Sequence, residues 1–316
     1  DTPLRQAMSR AGRYFSDTTT LNSPYANSPG VAGSGQFSCR RNYHALMTDG
    51  IWNDDKDFND TDDNNDQTLP DGTSYQSNEA YAQVYADNTQ HTLADMAFYY
   101  WITDLAQLSN KLMPLVTEED GNGDGVLDTP EMIYWNPKND PANWQHMVNF
   151  TVGLGLTDFL GAVGLNWNGD MYGGSYSDLR SGTLEWPPAT RWMGVSNNAD
   201  YGKSAHDLWH AAINSRGRFF SAESPDTLRD SFEKLLSLIE AATPTTAALA
   251  TDSTRTSGDS GQGARVFQAR LDTRYWNGHL YALNVNSASG SVSGPVWDAA
   301  TMLPAYNARS IYIRNS

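Results

Sequence analysis

Cysteine is nearly missing from this chain: Cys39 is the only one in 316 residues. No disulfide framework can form within it, and Cys39 is either a free thiol or the partner of a residue outside the chain. Basic charge is scarce as well. Lys and Arg number 21 against 37 Asp and Glu, giving a formal net charge of −16. A chain so short of cations has no footprint for a phosphate backbone, which excludes nucleic acid as a partner. It has none for docking on anionic lipid either. Clustered acidic residues suit hard cations instead. Long apolar runs are also missing, so no segment reads as a membrane span. No signal peptide stands at Asp1. The chain opens directly on a helix signal, so the native protein is expected to extend further upstream.

What is present is a real core. Hydrophobic residues make up 39% of the chain and include 10 Trp and 16 Tyr. Thr2 and Pro3 suit the N-cap and first position of a helix, and Leu4, Ala7, Met8, Ala11 and Phe15 recur at helical spacing. Residues 21–38 are rich in Ser, Pro, Gly and Asn and read as loop. Tyr43 to Thr48 reads as a short buried strand ending at Asp49-Gly50. Asp54 to Asp71 is an Asp-heavy insertion without periodicity. Asp60, Asp62 and Asn64 within it fit no ion template well, and a solvated acidic loop is the favoured reading.

Thr92 and Asp95 look like a capping box. Leu93, Met96, Ala97, Tyr100, Leu105, Leu108 and Leu112 then form an apolar face that predicts a helix reaching towards Pro114. His146 to Gly155 reads as a buried strand, and Leu156 to Lys203 as irregular. Ser204 and Asp207 suggest a second capping box, starting a helix through Ile213. Ser224-Pro225 opens a third helix, lined by Leu228, Phe232, Leu235, Leu236 and Ile239. Residues 243–262 read as a linker. Beyond it, "RVFQARLD" and "HLYALNV" flank a turn centred on Asn277-Gly278, a hairpin signal. Alternating helices and strands over residues 1–242 imply an α/β unit with a mostly parallel sheet. Residues 263–316 imply a β-rich segment.

One stretch carries metal chemistry by its spacing. "DGNGDGVLDTPE" puts Asp120, Asn122, Asp124, the Val126 carbonyl, Asp128 and Glu131 at positions 1, 3, 5, 7, 9 and 12 of an EF-hand-type loop. Those are the positions that supply oxygen ligands to Ca²⁺, with glycine needed at position 6, where Gly125 stands. Leu127 would anchor the loop to a core, and Thr129-Pro130 would start a short exiting helix. Pro114 and Pro137 bracket the loop too closely for a full helix-loop-helix, and no Met-rich groove marks a sensor. The loop reads as a structural staple.

"TPLRQAM", "YHALMTDG", "FTVGLG" and "RGRFFSAESPDTLRDSFEKLLSLI" resemble, in that order, a von Willebrand factor A domain, a Rossmann-like sheet flanked by helices. More narrowly, "CRRNYHALMTDGIWN", "HTLADMAFYYWITDL", "WQHMVNFTVGLGL" and "DLWHAAINSRGRFFSAESPDTL" resemble the PilY-type proteins of bacterial type IV pili. "ARVFQARLDTRYWNGHLYAL" is similar to the segment that leads into that family's C-terminal β-propeller. The resemblance implies a non-enzymatic adhesion and pilus-assembly protein at the cell surface or pilus tip. Its partners would be minor pilins, other tip proteins and host or abiotic surfaces. It also implies an adhesion-type site for Mg²⁺ or a similar ion, to which Thr2 and Asp49 contribute. The Asp-x-Ser-x-Ser element of that site is absent from this chain and would lie upstream of Asp1, so the site is incomplete here. The first strand, missing with it, would leave a central place in the sheet vacant.

A second class of function rests on His206 and His210. Their i, i+4 spacing in "HDLWH" resembles the H-E-x-x-H zinc motif of extracellular hydrolases. Asp207 stands where the general-base Glu would be, and no spacing supplies a third ligand. Two histidines packed on a helix is the favoured reading. The aromatic residues are read as core and loop packing rather than as a glycan platform.

Overall fold

The structure is a computed structural model. It describes residues 3–19, 21–50, 52, 63–121, 123–189, 198–242, 250–251, 265–272, 277–285 and 292–303. The chain divides into two compact units, Asp1–Leu235 and Leu236–Ser316.

The first unit is built on three parallel strands, β1 (Asn42–Thr48), β4 (Met147–Leu154) and β5 (Arg218–Ala222), in the order β1-β4-β5. β4 is buried along almost its whole length, as expected of a central strand covered on both faces. β1 pairs with it over seven residues, from Asn42 opposite Met147 to Thr48 opposite Gly153, and exposes Ala45 and Met47. β1 and β4 bond to each other directly, and among the described residues it is the outer edge of β1 that pairs with nothing. Two short strands, β2 (Gln67–Thr68) and β3 (Ser74–Tyr75), form a separate hairpin.

Helix α1 (Leu4–Phe15) begins one residue later than the Thr2-Pro3 signal implies, with Pro3 in the cap position and its carbonyl accepting from Ala7. Helix α2 (Leu93–Ile102) starts at the expected capping box: Thr92 accepts from the Asp95 N–H, and Asp95 accepts from that of Thr92. It ends much earlier than the apolar spacing suggests. Thr103 turns extended, and the Leu105 and Leu112 N–H groups bond to the carbonyls of Gln145 and Asn143. Leu105 and Leu112 are buried all the same, so the apolar pattern marked core residues on an irregular segment.

The stretch after β4 is not wholly irregular. It holds a 3-10 helix (Thr157–Val163) and helix α4 (Tyr176–Arg180). Helix α5 (Asn198–Asn214) begins before Ser204, and Ser204 bonds back to the Asp200 carbonyl rather than capping. Helix α6 (Pro225–Ala242) starts where Ser224-Pro225 places it, with Ser224 Oγ accepting from the Thr227 N–H. The core gathers α2, α5 and the sheet around fully buried Trp101, Trp144 and Trp209, which accounts for these aromatics as packing.

The second unit is an antiparallel sheet in the order β6-β7-β8-β9, with β6 at Ala250–Thr251, β7 at Arg265–Asp272, β8 at Asn277–Val285 and β9 at Val292–Asp298. The hairpin is real but its turn is displaced. Asp272 pairs with Asn277, so Asn277-Gly278 open β8, and residues 273–276, which connect the strands, lie outside the described residues. Pro295, which cannot donate to a ladder, sits where the β8–β9 register shifts.

Candidate functional site

Because β1, β4 and β5 run parallel, their carboxyl ends share one edge, where open α/β sheets place ligands. Asp49 follows β1 at this edge and is exposed. Thr48, Gly153 and Ser221 lie abreast across the three strands. Beside them Thr157 and Ser221 both donate to Glu223 Oε1, at 2.7 and 2.9 Å, and their hydroxyls are 2.8 Å apart. Thr2 lies outside the described residues, so its relation to Asp49 is not described. Among the described residues Asp49 joins no group of three metal-ligating side chains. Sequence reasoning missed the Thr157–Ser221–Glu223 cluster, because nothing in three scattered polar residues announces a shared edge before the strand order is known.

The acidic loop hangs from a two-stranded stem. Leu115 and Asp140 exchange both backbone bonds, at 2.7 and 2.8 Å. Asn139 extends the stem: its Oδ1 accepts from Thr117 and Glu118, and its amide donates to the Glu118 and Ile133 carbonyls. Asp140 fixes the base. Its Oδ2 accepts from Arg41 at 2.8 Å and lies 3.1 Å from His146 Nε2, and its Oδ1 accepts from the Trp101 indole. Burial alone would raise this carboxyl; His146, Arg41 and Trp101 overcome that and hold it at about 2.

Within the loop, Asp120 accepts backbone N–H groups from Gly123, Asp124 and Gly125, the tight winding that an ion-binding loop requires. Gly125 has φ +82°, a value side-chain-bearing residues seldom adopt, and Gly123 has φ +72°. Asp124 accepts from Val126 and Asp128 from Gly121, both at 2.8 Å. Asn122 lies outside the described residues. The carboxylates of Asp120, Asp124, Asp128 and Glu131 do not converge as a three-ligand group; three of them are turned onto backbone N–H groups. Thr129 and Pro130 start helix α3 (Pro130–Tyr134), as the spacing predicts. Leu127 does not anchor the loop. It is 70% exposed, because the stem and Arg180, which donates to the Gly121 carbonyl, hold the loop instead.

His206 and His210 are both buried in α5. Trp186 stacks on both rings, with centroid separations of 6.2 and 4.3 Å. Burial, then the neighbouring His210, pushes His206 down to about 3, so its imidazole is neutral. Asp207 faces away from hydrolytic duty: its two oxygens accept the N–H groups of Leu93 and Ala94, each at 3.1 Å, at the start of α2. The expected self-cap of α5 is thus a cap supplied to another helix, where carboxylates are favoured.

The parallel sheet flanked by helices, with its carboxyl-end edge and long insertions, is a von Willebrand A-like α/β architecture. Within that class the chain's relatives are specific. It is 40% identical over 310 residues to the type IV pilus biogenesis factor PilY1 of Pseudomonas aeruginosa strain PAK, a match covering 96% of this chain and 25% of that protein. PilY1 of strain PAO1 gives the same identity and coverage, and PilY1 of strain UCBPP-PA14 is 39% identical over 325 residues, 100% of this chain and 26% of that protein. The PilY-type resemblance therefore holds across nearly the whole chain, which spans about a quarter of the length of the curated relatives it matches. No family model matches the chain, and no solved structure matches it significantly. Among the described residues no helix is long and apolar enough to cross a membrane.

Proposed function

We propose that this chain is part of a type IV pilus biogenesis protein that acts at the cell surface or pilus tip. It joins minor pilins and surface ligands without catalysing a reaction, and Ca²⁺ in the loop Asp120–Glu131 stiffens it. The observation that carries the pilus reading is the match to PilY1 along 96% of the chain. The calcium reading is carried by the loop itself, where Gly125 takes the required positive φ beside a carboxylate that gathers three backbone N–H groups. An arriving ion would draw the Asp120, Asp124 and Asp128 carboxylates off those N–H groups, and the stem at Leu115 and Asp140 keeps the ends fixed while it does. Asp49 at the strand edge is the candidate contact for an adhesion-type Mg²⁺.

Against a zinc hydrolase stand the burial of both histidines and the use of Asp207 as a helix cap. Titration calorimetry of the metal-free chain tests the calcium claim. Glu131→Gln, which removes the closing bidentate carboxylate, is expected to weaken Ca²⁺ binding at least about tenfold, or about 1.4 kcal/mol. No calcium binding in the parent, or unchanged binding in the variant, refutes it. Replacing this segment of the parent protein with the Asp49→Ala version separates adhesion from assembly. Lost attachment with normal piliation supports an adhesive edge, and unchanged attachment removes that role.

A further inference from the structure

Beneath the packed helices lies a group of ligating side chains that neither the acidic loop nor the strand edge uses. Asp63, Asp87 and His210 each offer one ligand atom within 4.8 Å of the others, and all three are buried. They come from three separate parts of the chain: the middle of the acidic insertion, the segment after the 3-10 helix Ala80–Val84, and the C-terminal half of α5. The His210 ring is fixed by its Nε2, which donates to the Tyr85 carbonyl at 2.7 Å. In the tautomer whose proton sits on Nε2, Nδ1 presents a lone pair. That Nδ1 sits 3.3 Å from Asp87 Oδ2, and neither atom has a hydrogen-bond partner. Two acceptors facing each other in a buried site repel unless something positive lies between or beside them.

The remaining ligand is also positioned from outside. Asp63 Oδ1 accepts the Asp87 N–H at 3.0 Å, and its Oδ2 accepts the Asn214 amide at 2.7 Å. Asn214 donates as well to the Tyr85 carbonyl that orients His210. Such outer partners fix the ring and aim the carboxylates, as is usual around metal-ligating His and Asp. Among the described residues neither Asp63 nor Asp87 pairs with a Lys or Arg; their partners in charge are the His210 ring nitrogens. A cavity of about 360 Å³, lined by Asn64, Ser77, Asp87, Asn88, Glu185 and Trp186 among others, reaches Asp87 and the Trp186 ring stacked on His210.

We propose that Asp63, Asp87 and His210 bind a buried divalent cation of the zinc class, two carboxylate oxygens and one imidazole nitrogen leaving a further position for water. The mixed ligand set selects such an ion over Ca²⁺, which takes oxygen ligands and more of them. A +2 ion neutralises the two buried carboxylates and ties Asp63 of the insertion and the Asp87 segment to α5. The site is distinct from the zinc-motif pairing of His206 with His210, since His206 is not in the group.

The test is metal analysis of the full chain, expressed with zinc supplied and dialysed. About one equivalent of zinc is expected in the parent and in Glu131→Gln, and at least about tenfold weaker retention in Asp87→Asn. Cobalt loading of the stripped parent should give visible bands of a nitrogen- and oxygen-ligated ion, and it decides the matter if Asp87→Asn fails to fold. A parent that holds no zinc and gives no cobalt bands overturns the proposal, as does a folded Asp87→Asn that keeps its zinc. Loss of zinc in Glu131→Gln overturns it too, by placing the ion in the acidic loop.

Discussion

Replacing Asp140 with Asn tests the base on which the acidic loop stands. The substitution keeps the shape and an acceptor for the Trp101 indole but removes the charge opposite Arg41, whose side chain is 8% exposed. Arg41 also donates to the Met113 carbonyl, so it cannot simply swing to solvent. Deleting one partner of a buried ion pair costs about 3–5 kcal/mol, and the retained acceptor puts Asn near the lower end, about 3 kcal/mol. The pH dependence gives a second, independent magnitude. The Asp140 carboxyl is lowered from 3.8 to about 2, so its ionised form is favoured by folding. That contribution is complete above about pH 5 and is lost as pH falls through 2 towards about 1; a shift of nearly two units corresponds to about 2.5 kcal/mol. Urea unfolding of parent and Asp140→Asn at pH 7 should therefore differ by about 3 kcal/mol, with the gap closing to about 1.5 kcal/mol near pH 2.5. A gap below about 1 kcal/mol at pH 7, or one that stays constant on acidification, refutes the reasoning.

Three further outcomes follow from the packing. Asp207→Ala orphans the buried N–H groups of Leu93 and Ala94 and should destabilise the chain by about 2–4 kcal/mol, read by thermal or urea unfolding. Gly217→Ala would put a Cβ 1.7 Å from the Asn149 carbonyl oxygen of β4 and should cost at least about 2 kcal/mol, because two backbones must part. Trp186→Ala should cost about 3–5 kcal/mol, since the ring packs on His206, His210 and Trp209 and its indole donates to the Val84 carbonyl; a loss under about 1 kcal/mol would contradict that packing.

Features set by local chemistry were the ones legible in the sequence. The Thr92–Asp95 capping box, the Ser224-Pro225 start and the parallel strands at Tyr43–Thr48 and His146–Gly155 needed only nearby residues to be read. The failures share one cause, a partner distant in the chain. Asp207 looked like the cap of its own helix, and it caps a helix more than a hundred residues away. Leu105 and Leu112 kept helical spacing, but the Gln145 and Asn143 carbonyls captured their N–H groups. Asp63 was one more acid in an Asp-rich run, and only Asn214 and His210, brought in by α5, distinguish it. The glycine spacing of the acidic loop could be read because that loop bonds mainly to itself; the outward turn of Leu127 could not.

Beyond the Leu115–Asp140 bridge, the Asp128 N–H bonds to the Glu119 carbonyl, so the tip between them leaves and returns to the same spot, while Trp135 behind it is packed in the core. The sheet therefore does not register how long that excursion is or what it carries. A shorter turn, a second ion loop or a foreign epitope spliced between Glu119 and Asp128 would leave the β1–β4 register and the Trp135 packing untouched. The exposed tip is thus an interchangeable fitting, and the frame that carries it begins at Trp135.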